Sequence, residues 1–331
     1  NVAGIDTGIN LTSSGSMQIA AGVLKMRSRG TSDGTTSISG GATLEVAANN
    51  FDFLAGAIIS GGGRFNVGDL GPTPGVYTVA DCIGLSGPVT IRNATLNIGC
   101  GSTQTFQDLR IEHNLAVLSG SANMAVAANM QWQNGTILGS GAPTATFTLN
   151  GGANAIWPNS GTVGPRILES RDFLNMGSIL INANNNATGL KNNSRLVNMV
   201  GANLTLDIGS GIATLFTSGV GTPELLNQGN LTVQTGGTWA ITSRFTNSGS
   251  VNLTGPIQLY LQGAGTDIGS YSVDTTSQLY IDSPAGIRTI AGSGSISGNG
   301  ALLLGNGGQL TVTAPTYTIR NTIIGAAANT Q

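Results

Sequence analysis

Few residues in this chain could carry out chemistry, and they are widely spread. His113 is the only histidine, and Asp108 lies nearby. A Ser–His–Asp triad needs a serine, a histidine and a carboxylate, which can occur in any order along a chain. Serines are so abundant here that order alone selects none of them. We therefore expect no catalytic role for His113, and we predict that the protein is not an enzyme.

The densest group of charges is formed by Arg166, Glu169, Arg171 and Asp172, with Trp157 upstream. Polysaccharide-cleaving enzymes need clustered carboxylates for hydrolysis, or acidic Ca²⁺ ligands with a basic residue for elimination. Carboxylates are sparse in this chain, so the group is better interpreted as an internal ion-pair network that ties a loop down. A carbohydrate contact formed by these five residues remains the alternative. Core packing is likewise favoured over sugar stacking for the three tryptophans, which are Trp132, Trp157 and Trp239.

The two cysteines, Cys82 and Cys100, are 18 residues apart. That spacing is close to one short coil of a repeat structure, so they could face each other on adjacent rungs at disulfide distance. A disulfide is favoured, and two buried thiols remain the alternative. Two cysteines with one histidine cannot build a zinc site of the usual composition. Lys25 and Lys191 lack the context of a phosphate-binding loop. We expect no metal and no cofactor.

The elements that position these residues are indicated by a recurring triplet, apolar–any–apolar, next to Gly, Asn and Thr. Its first residues lie 20 to 32 positions apart. Repeats of this length indicate a solenoid, in which each unit buries its apolar side by stacking on its neighbours. The triplets are Leu44-Glu45-Val46, Phe65-Asn66-Val67, Leu96-Asn97-Ile98, Met124-Ala125-Val126, Phe147-Thr148-Leu149, Ile179-Leu180-Ile181, Leu204-Thr205-Leu206, Leu231-Thr232-Val233, Val251-Asn252-Leu253, Leu279-Tyr280-Ile281 and Leu302-Leu303-Leu304.

The composition agrees with a folded solenoid. Glycine accounts for 51 of 331 residues, charged residues for only 8%, and hydrophobic residues for 40%. Disorder usually combines low hydrophobicity with high net charge, whereas the formal net charge here is −2. Nucleic acid is not expected as a partner, because the chain lacks the positive field that binding needs. No apolar run reaches the ~18 residues of a membrane-spanning segment.

Alternating stretches bounded by Gly, Asn or Pro predict strands. The clearest are Thr43–Ala47, Val76–Val79, Val89–Ile98, Thr144–Leu149, Asn203–Ile208, Asn230–Gln234, Ser250–Thr254, Ile257–Leu261 and Gln309–Thr313. Residues 165–176 have a helix-like composition, and we interpret them as a loop or a single turn. From Phe173 onward an Asn-x-Gly corner precedes a strand, at Asn175, Asn227 and Asn247. Asn and Gly tolerate positive φ, so these corners are predicted to be left-handed.

The segment Trp132-Gln133-Asn134-Gly135-Thr136-Ile137, the Asn-x-Gly corners and residues 290–312 resemble repetitive secreted bacterial surface proteins. These are adhesin-like chains, related in shape to autotransporter passengers and filamentous haemagglutinins. The resemblance covers most of residues 36–313. It implies a right-handed parallel β-solenoid exported from the cell, in an extracellular or cell-surface location. It carries over no functional residue.

The predicted fold is therefore all-β, a right-handed parallel β-helix of roughly 11–12 coils of about 20–32 residues. One continuous solenoid is expected over residues 1–331, with N-terminal rungs at 1–35, a repeat body at 36–313 and a C-terminal end segment at 314–331. Protruding loops are expected at 68–75, 101–115 and 152–172. The chain begins in the middle of the pattern, as a processed form or a segment of a longer chain would.

The favoured function is structural. The chain is expected to be a subunit or segment of an extracellular filament, sheath or adhesin, with itself as its main partner. No polar or amphipathic cap is evident at either end, and residues 317–331 contain the apolar Ile319, Ile323 and Ile324. Uncapped ends expose unpaired strand edges, which predicts head-to-tail association. The alternative is a carbohydrate-active or carbohydrate-binding module that acts on extracellular polysaccharide.

Overall fold

In the described ladders, strands of successive coils pair in parallel, so that residues lie over their counterparts in the next coil. The structure, a computed structural model, describes residues 2–5, 10–47, 50–69, 74–140, 145–158, 164–183, 187–282, 287–305, 309–313, 316–325 and 329–330. These residues contain no helix and form a β-solenoid of about 13 turns. The prediction of an all-β parallel β-helix is confirmed.

The chain divides into two units, of which the first comprises residues 1–155 and 169–171 and the second comprises residues 156–168 and 172–331. The strands up to the end of the first long segment are β1 (Val2–Ile5), β2 (Leu11–Ser13), β3 (Ser16–Ile19), β4 (Val23–Met26), β5 (Gly30–Ser32), β6 (Thr35–Ile38), β7 (Thr43–Val46), β8 (Asn50–Phe53), β9 (Ile58–Gly61), β10 (Arg64–Val67), β11 (Gly75–Val79), β12 (Ile83–Leu85), β13 (Pro88–Ile91), β14 (Ala94–Ile98), β15 (Gln104–Ile111), β16 (Val117–Gly120), β17 (Met124–Trp132), β18 (Gly135–Leu138), β19 (Thr146–Leu149) and β20 (Asn154–Trp157).

The remaining strands are β21 (Arg166–Glu169), β22 (Asp172–Asn175), β23 (Ser178–Asn182), β24 (Ala187–Lys191), β25 (Arg195–Asn198), β26 (Asn203–Ile208), β27 (Ile212–Ser218), β28 (Glu224–Asn227), β29 (Asn230–Thr235), β30 (Gly237–Ile241), β31 (Arg244–Asn247), β32 (Ser250–Thr254), β33 (Ile257–Leu261), β34 (Gly265–Asp267), β35 (Ser270–Val273), β36 (Gln278–Ile281), β37 (Ile287–Ile290), β38 (Ser295–Leu304), β39 (Gln309–Val312), β40 (Thr316–Ile324) and β41 (Asn329–Thr330).

Each unit has three parallel faces, because each coil contributes three strand segments. In the first unit, face 1 contains β1, β4, β7, β10, β13, β15 and β17, and face 2 contains β2, β5, β8, β11, β14, β16 and β18. Face 3 contains β3, β6, β9 and β12, followed by β15, β17 and β19. The long strands β15 and β17 each turn a corner and serve two faces.

The second unit is built in the same way. Its face 1 contains β23, β26, β29, β32, β35, β38 and β40, and its face 2 contains β24, β27, β30, β33, β36, β38 and β40. Face 3 contains β22, β25, β28 and β31, and a separate ladder contains β34, β37, β39 and β41. Successive coils can be as short as 20 residues, since Asn230 pairs with Ser250 and Ser250 with Ser270.

The core consists of columns of apolar side chains that run from coil to coil. On face 1 of the second unit, Leu204, Leu231, Val251 and Tyr271 lie in one column, and each is at most 1% exposed. Both apolar residues of all eleven sequence triplets are buried. The triplets lie on different faces, however. The spacing between two triplets therefore combines the length of a coil with a change of face. Coils without a triplet, such as the one formed by β4, β5 and β6, were not counted.

Several segments differ from the sequence prediction. Residues 104–111 form strand β15, although a protruding loop was predicted there. Residues 165–176, predicted to be a loop or turn, contain β21 and β22. The single predicted strand Val89–Ile98 is two strands, β13 and β14, separated by a corner at Arg92–Asn93. Residues 70–73 and 159–163 of the other two predicted loops lie outside the described residues.

A ladder of buried asparagines lines one corner of the second unit. Asn175, Asn198, Asn227 and Asn247 are fully buried, and the Nδ2 of each of the first three donates to the Oδ1 of the next rung at 2.8 Å. All four Nδ2 groups also donate to backbone carbonyls of the following strand, at Asn203, Asn230, Ser250 and Ser270. Each internal rung thus has both its donors and its acceptor satisfied, which makes a buried amide tolerable.

The Asn-x-Gly corners were placed correctly, but the predicted reason was wrong. Asn175, Asn227 and Asn247 do not have a positive φ. The glycine two positions after each of them does not have one either. The glycines are needed because consecutive coils approach closely. A Cβ atom on Gly249 would lie 2.0 Å from the carbonyl oxygen of Gly229. The asparagines are needed for the amide ladder.

Replacing Asn227 by alanine should remove one rung, so that Asn198 Nδ2 keeps only its bond to the Asn230 carbonyl and Asn247 Oδ1 keeps only its bond from the Gly249 N–H. We expect the free energy of unfolding to fall by about 2–4 kcal/mol. Urea unfolding followed by circular dichroism measures it. The control is Asn252→Ala, which removes a half-exposed asparagine and should cost less than about 1 kcal/mol. Equal losses in the two variants would contradict the ladder's role.

Candidate functional site

The charge group that the sequence singled out is dispersed by the fold. Trp157, Arg166 and Arg171 are at most 2% exposed. Side chains with so little exposed surface cannot stack on a sugar or hydrogen-bond to one. The predicted carbohydrate contact therefore loses three of its five members, and only Glu169 and Asp172 keep partly exposed side chains.

Arg166 does tie a chain segment down, as the sequence suggested, but through carbonyl groups. Its Nη2 donates to the backbone oxygens of Pro158 at 2.7 Å and Trp157 at 3.2 Å, and its Nη1 reaches Thr188 Oγ1 at 3.4 Å. Burial lowers the pKa of Arg166 to about 10. The arginine remains charged at neutral pH and acts as a structural donor.

Arg171 is buried in the first unit, where its Nη2 donates to the carbonyl oxygen of Gly120. Its Nε and Nη1 have no hydrogen-bond partner among the described residues. Burial lowers the pKa of Arg171 to about 10 as well. The predicted ion-pair network is thus replaced by two separate guanidinium groups, each directed at backbone carbonyls.

Asp172 belongs to a column of alternating charges on face 3 of the second unit. Strand register places Asp172, Arg195, Glu224 and Arg244 on four successive rungs. Asp172 pairs with Arg195, and Glu224 pairs with Arg244 at 3.3 Å. The hydrogen bond to Asp172 raises the pKa of Arg195, and the charge of Glu224 adds to the effect. Because the signs alternate, each charge faces an opposite charge on the neighbouring coil. This column is therefore a stabilising surface and not a reactive one.

His113 and its neighbours are also engaged in local structure. The His113 Nδ1 atom accepts the N–H of Leu115 at 3.2 Å, and Asp108 is paired with Arg110 at 3.2 Å. Glu112 pairs with Arg92 at 3.3 Å. Within the described ranges, no three metal-ligating side chains come together.

The three tryptophans lie in the core, each at most 1% exposed. Trp132 donates its Nε1 hydrogen to the carbonyl of Gly135 at 3.3 Å, and the Trp157 ring contacts Phe173 edge-on at 5.6 Å. Core packing was the favoured interpretation, and the structure agrees with it. Sugar stacking on these rings would require exposed faces that they do not have.

Cys82 and Cys100 form a disulfide, with their Cα atoms 4.8 Å apart. They follow the neighbouring strands β11 and β14 of face 2, so the bond joins two successive coils at the same corner. Next to the disulfide, the side-chain amide of Gln104 takes the place of a backbone partner of Ile83 on face 3. Its Oε1 accepts the N–H of Ile83 at 2.6 Å, and its Nε2 donates to the Ile83 carbonyl at 2.9 Å. The covalent bond and the amide together hold a corner where regular strand pairing is interrupted.

A buried ion pair ends the asparagine ladder, and sequence reasoning missed it. Asp267 and Arg288 are completely buried and 2.6 Å apart. Asp267 accepts the N–H of Asn247 at 2.8 Å, and Arg288 also donates to the carbonyls of Gly263 and Phe245. Burial lowers the pKa of Arg288, but Asp267 and Tyr271 outweigh it and raise that pKa. The signal was present, since Asp267-Ile268-Gly269 follows Asn247-Ser248-Gly249 at one coil's distance.

Removing the disulfide should destabilise the first unit. The bond closes a loop of 18 residues in the unfolded chain, which corresponds to about 3 kcal/mol of chain entropy. We expect the Cys82→Ser, Cys100→Ser double variant to unfold at a lower temperature in calorimetry. Dithiothreitol should lower the wild-type transition in the same way and leave that of the double variant unchanged. An unchanged transition in both experiments would contradict a stabilising role.

Replacing Arg288 by methionine should leave the Asp267 carboxylate buried without a counter-charge, at a cost of about 3–5 kcal/mol in the free energy of unfolding. The double variant Asp267→Asn, Arg288→Met replaces the carboxylate by an amide, as at the preceding rungs. It should therefore be more stable than Arg288→Met alone. Urea unfolding of both variants decides this, and a double variant less stable than the single one would contradict the explanation.

Comparison with models of protein families, with curated proteins and with solved structures found no match to this chain. A helix long and apolar enough to span a membrane is not found in the part of the chain that the structure describes. What can be said about function therefore depends on the geometry of the two units.

Proposed function

We propose that this protein is a structural component of an extracellular or cell-surface filament, sheath or adhesin, and that it associates head-to-tail through the ends of its solenoid. The observation that carries the proposal is the open edge at strand β40. This strand pairs with β38, and no described strand pairs with its other edge. Unpaired N–H and C=O groups on such an edge are ready to pair with another strand.

The core is also open at this end. Register aligns Tyr317 with Ile296 and Ile324 with Leu304. Ile296 and Leu304 are at most 2% exposed, whereas Tyr317 is 40% exposed and Ile324 is 53% exposed. Inward-directed apolar side chains are thus left without a covering coil. Burying them would be favourable in proportion to the apolar area removed from water.

The occupant that fits this edge best is the N-terminal coil of a second copy. Strands β1, β2 and β3 pair with the following coil, and no described strand pairs with their outer edges. All described strand pairs in the ladders are parallel, so an incoming parallel coil would continue the existing pattern. Because the two edges differ, the contact is heterologous and generates an open assembly when its rotation does not close.

We also propose that the protein has no catalytic function. The residues that could act as an acid, base or nucleophile are held in structural contacts: His113 by a backbone N–H, and Asp267 by Arg288. The column from Asp172 to Arg244 is paired from rung to rung. These contacts support a surface that serves packing and association.

Static light scattering over a concentration series from 1 to 100 μM tests the association. We expect the apparent mass to rise with concentration and Ile324→Lys to weaken association by about 100-fold or more, because a lysine at that position would be buried against an apolar edge. Val200→Lys changes an apolar residue that is 82% exposed on a corner, and it should associate like the wild type.

A wild-type chain that remains monomeric at 100 μM would overturn the proposal. So would equal association of the wild type and Ile324→Lys, since the apolar edge at β40 would then not be the contact.

A further inference from the structure

An uncharged amide ladder runs along the outer surface of face 2 in the second unit. Register places Thr238, Gln258, Gln278, Ala301 and Asn321 on five successive rungs. Thr238 Oγ1 donates to Gln258 Oε1 at 3.2 Å, and Gln258 Nε2 donates to Gln278 Oε1 at 3.0 Å. The ladder is then interrupted, because Ala301 has no polar side-chain atom.

The neighbouring column fixes the orientation of Gln278. The rings of Tyr260 and Tyr280 stack with centroids 4.1 Å apart and planes within 6°. Tyr280 donates its hydroxyl hydrogen to Gln278 Oε1 at 2.8 Å. That oxygen thus accepts two hydrogen bonds, one for each of its lone pairs. The Nε2 donors of Gln278 have no partner in the ladder and are available at the rung of Ala301.

A polar cleft of about 550 Å³ lies at this interruption. Its lining comes from three successive rungs: residues 275–278, then Gly300 and Ala301, then residues 320–323. Gln278 and Asn321 are two rungs apart, which corresponds to about 9.6 Å at the strand spacing. The cleft therefore leaves one rung open between two amide side chains.

Arg320 gives the cleft its charge. This arginine forms no ion pair among the described residues. Asp274 lies next to the cleft in sequence, but its carboxylate accepts the backbone N–H groups of Gly255 at 2.6 Å, Ser277 at 2.9 Å and Thr276 at 3.0 Å. Burial acts to raise the pKa of Asp274, but hydrogen bonds from Ser277, Gly255 and Thr276 outweigh it and lower that pKa, so the carboxylate stays engaged in the corner. The guanidinium group of Arg320 is therefore available to bind a ligand.

We propose that this cleft binds a uronic-acid unit of an acidic polysaccharide. The sugar ring occupies the open rung over Ala301, its hydroxyl oxygens accept from Gln278 Nε2, and its remaining hydroxyl groups exchange hydrogen bonds with Asn321 and the threonines. The carboxylate pairs with Arg320, whose planar fork matches a carboxylate in two parallel hydrogen bonds. Amide, hydroxyl and guanidinium groups together select a ligand that has many hydroxyl groups and one negative charge. This site is separate from the residues predicted from the sequence, and it does not depend on head-to-tail association.

Isothermal titration calorimetry tests the proposal with two matched probes, an α-1,4-linked galacturonate tetramer and its fully methyl-esterified form. The ester keeps the sugar rings and their hydroxyl groups, and it replaces each carboxylate by a neutral and slightly larger methyl ester. We expect the acidic tetramer to bind and the ester to bind at least tenfold more weakly, since the ester loses the pairing with Arg320.

Two variants separate the parts of the site. Arg320→Met retains the length of the side chain and removes the charge, and it should weaken binding of the acidic tetramer at least tenfold. Ala301→Gln fills the open rung and continues the amide ladder without removing any polar group, and it should abolish binding. Arg244→Met removes an exposed arginine on another face and should leave binding unchanged.

The proposal fails if the acidic tetramer does not bind at millimolar concentration, or if it binds Ala301→Gln as tightly as the wild type. Equal binding of both probes, with no effect of Arg320→Met, would also overturn it. Circular dichroism of Ala301→Gln shows whether a loss of binding reflects filling of the cleft, because the replaced side chain lies on the outer surface and its replacement should leave the fold intact.

Discussion

Exact stacking of equivalent residues is the constraint on which the rest of this structure depends. In a parallel ladder every side chain meets its counterpart at the strand spacing of about 4.8 Å. Columns of apolar side chains satisfy this constraint without any matching of donors and acceptors, as Leu204, Leu231 and Val251 do. A polar residue in the interior is accommodated best where the next rung accepts what it donates. Asparagine meets this condition because its amide carries both a donor and an acceptor, and the ladder from Asn175 to Asn247 repeats the same bond on every coil.

A repeating ladder must also end. The buried ladder of asparagines and the amide ladder on the outer surface end in different ways. The inner amide ladder is followed by Asp267, whose charge is neutralised by Arg288 with no solvent available. The outer ladder is interrupted after Gln278, where Ala301 leaves a cleft open to water. An unfinished ladder in the interior would cost the desolvation of an unpaired amide. At the surface, water satisfies the same amide, so the interruption is tolerated and can be used for binding.

The fold could be predicted from the sequence because its signal is local. Each triplet alternates within three residues, and the inward columns follow directly from it. The corners at Asn175, Asn227 and Asn247 were also found, but their cause was not, because the amide partner of each lies 20 to 29 residues away. Asn198 was missed since no glycine follows it at the second position. Coil length varies from ladder to ladder, so sequence spacing alone could not align Gln258 with Gln278 or Asp172 with Arg195.

The same constraint explains why reactive clusters are scarce here and where an interaction site is to be expected. Like charges on neighbouring rungs repel each other, and the column from Asp172 to Arg244 avoids this because its charges alternate in sign. Side chains within a column contact their counterparts on the coils before and after it. Unmet hydrogen-bonding and apolar groups are therefore left where a column stops. Strand β40 is such a place for the core, with Tyr317 and Ile324 exposed, and Ala301 is such a place for the outer amides. Within each unit, an interruption of a column is thus a position at which a ligand can replace the missing rung.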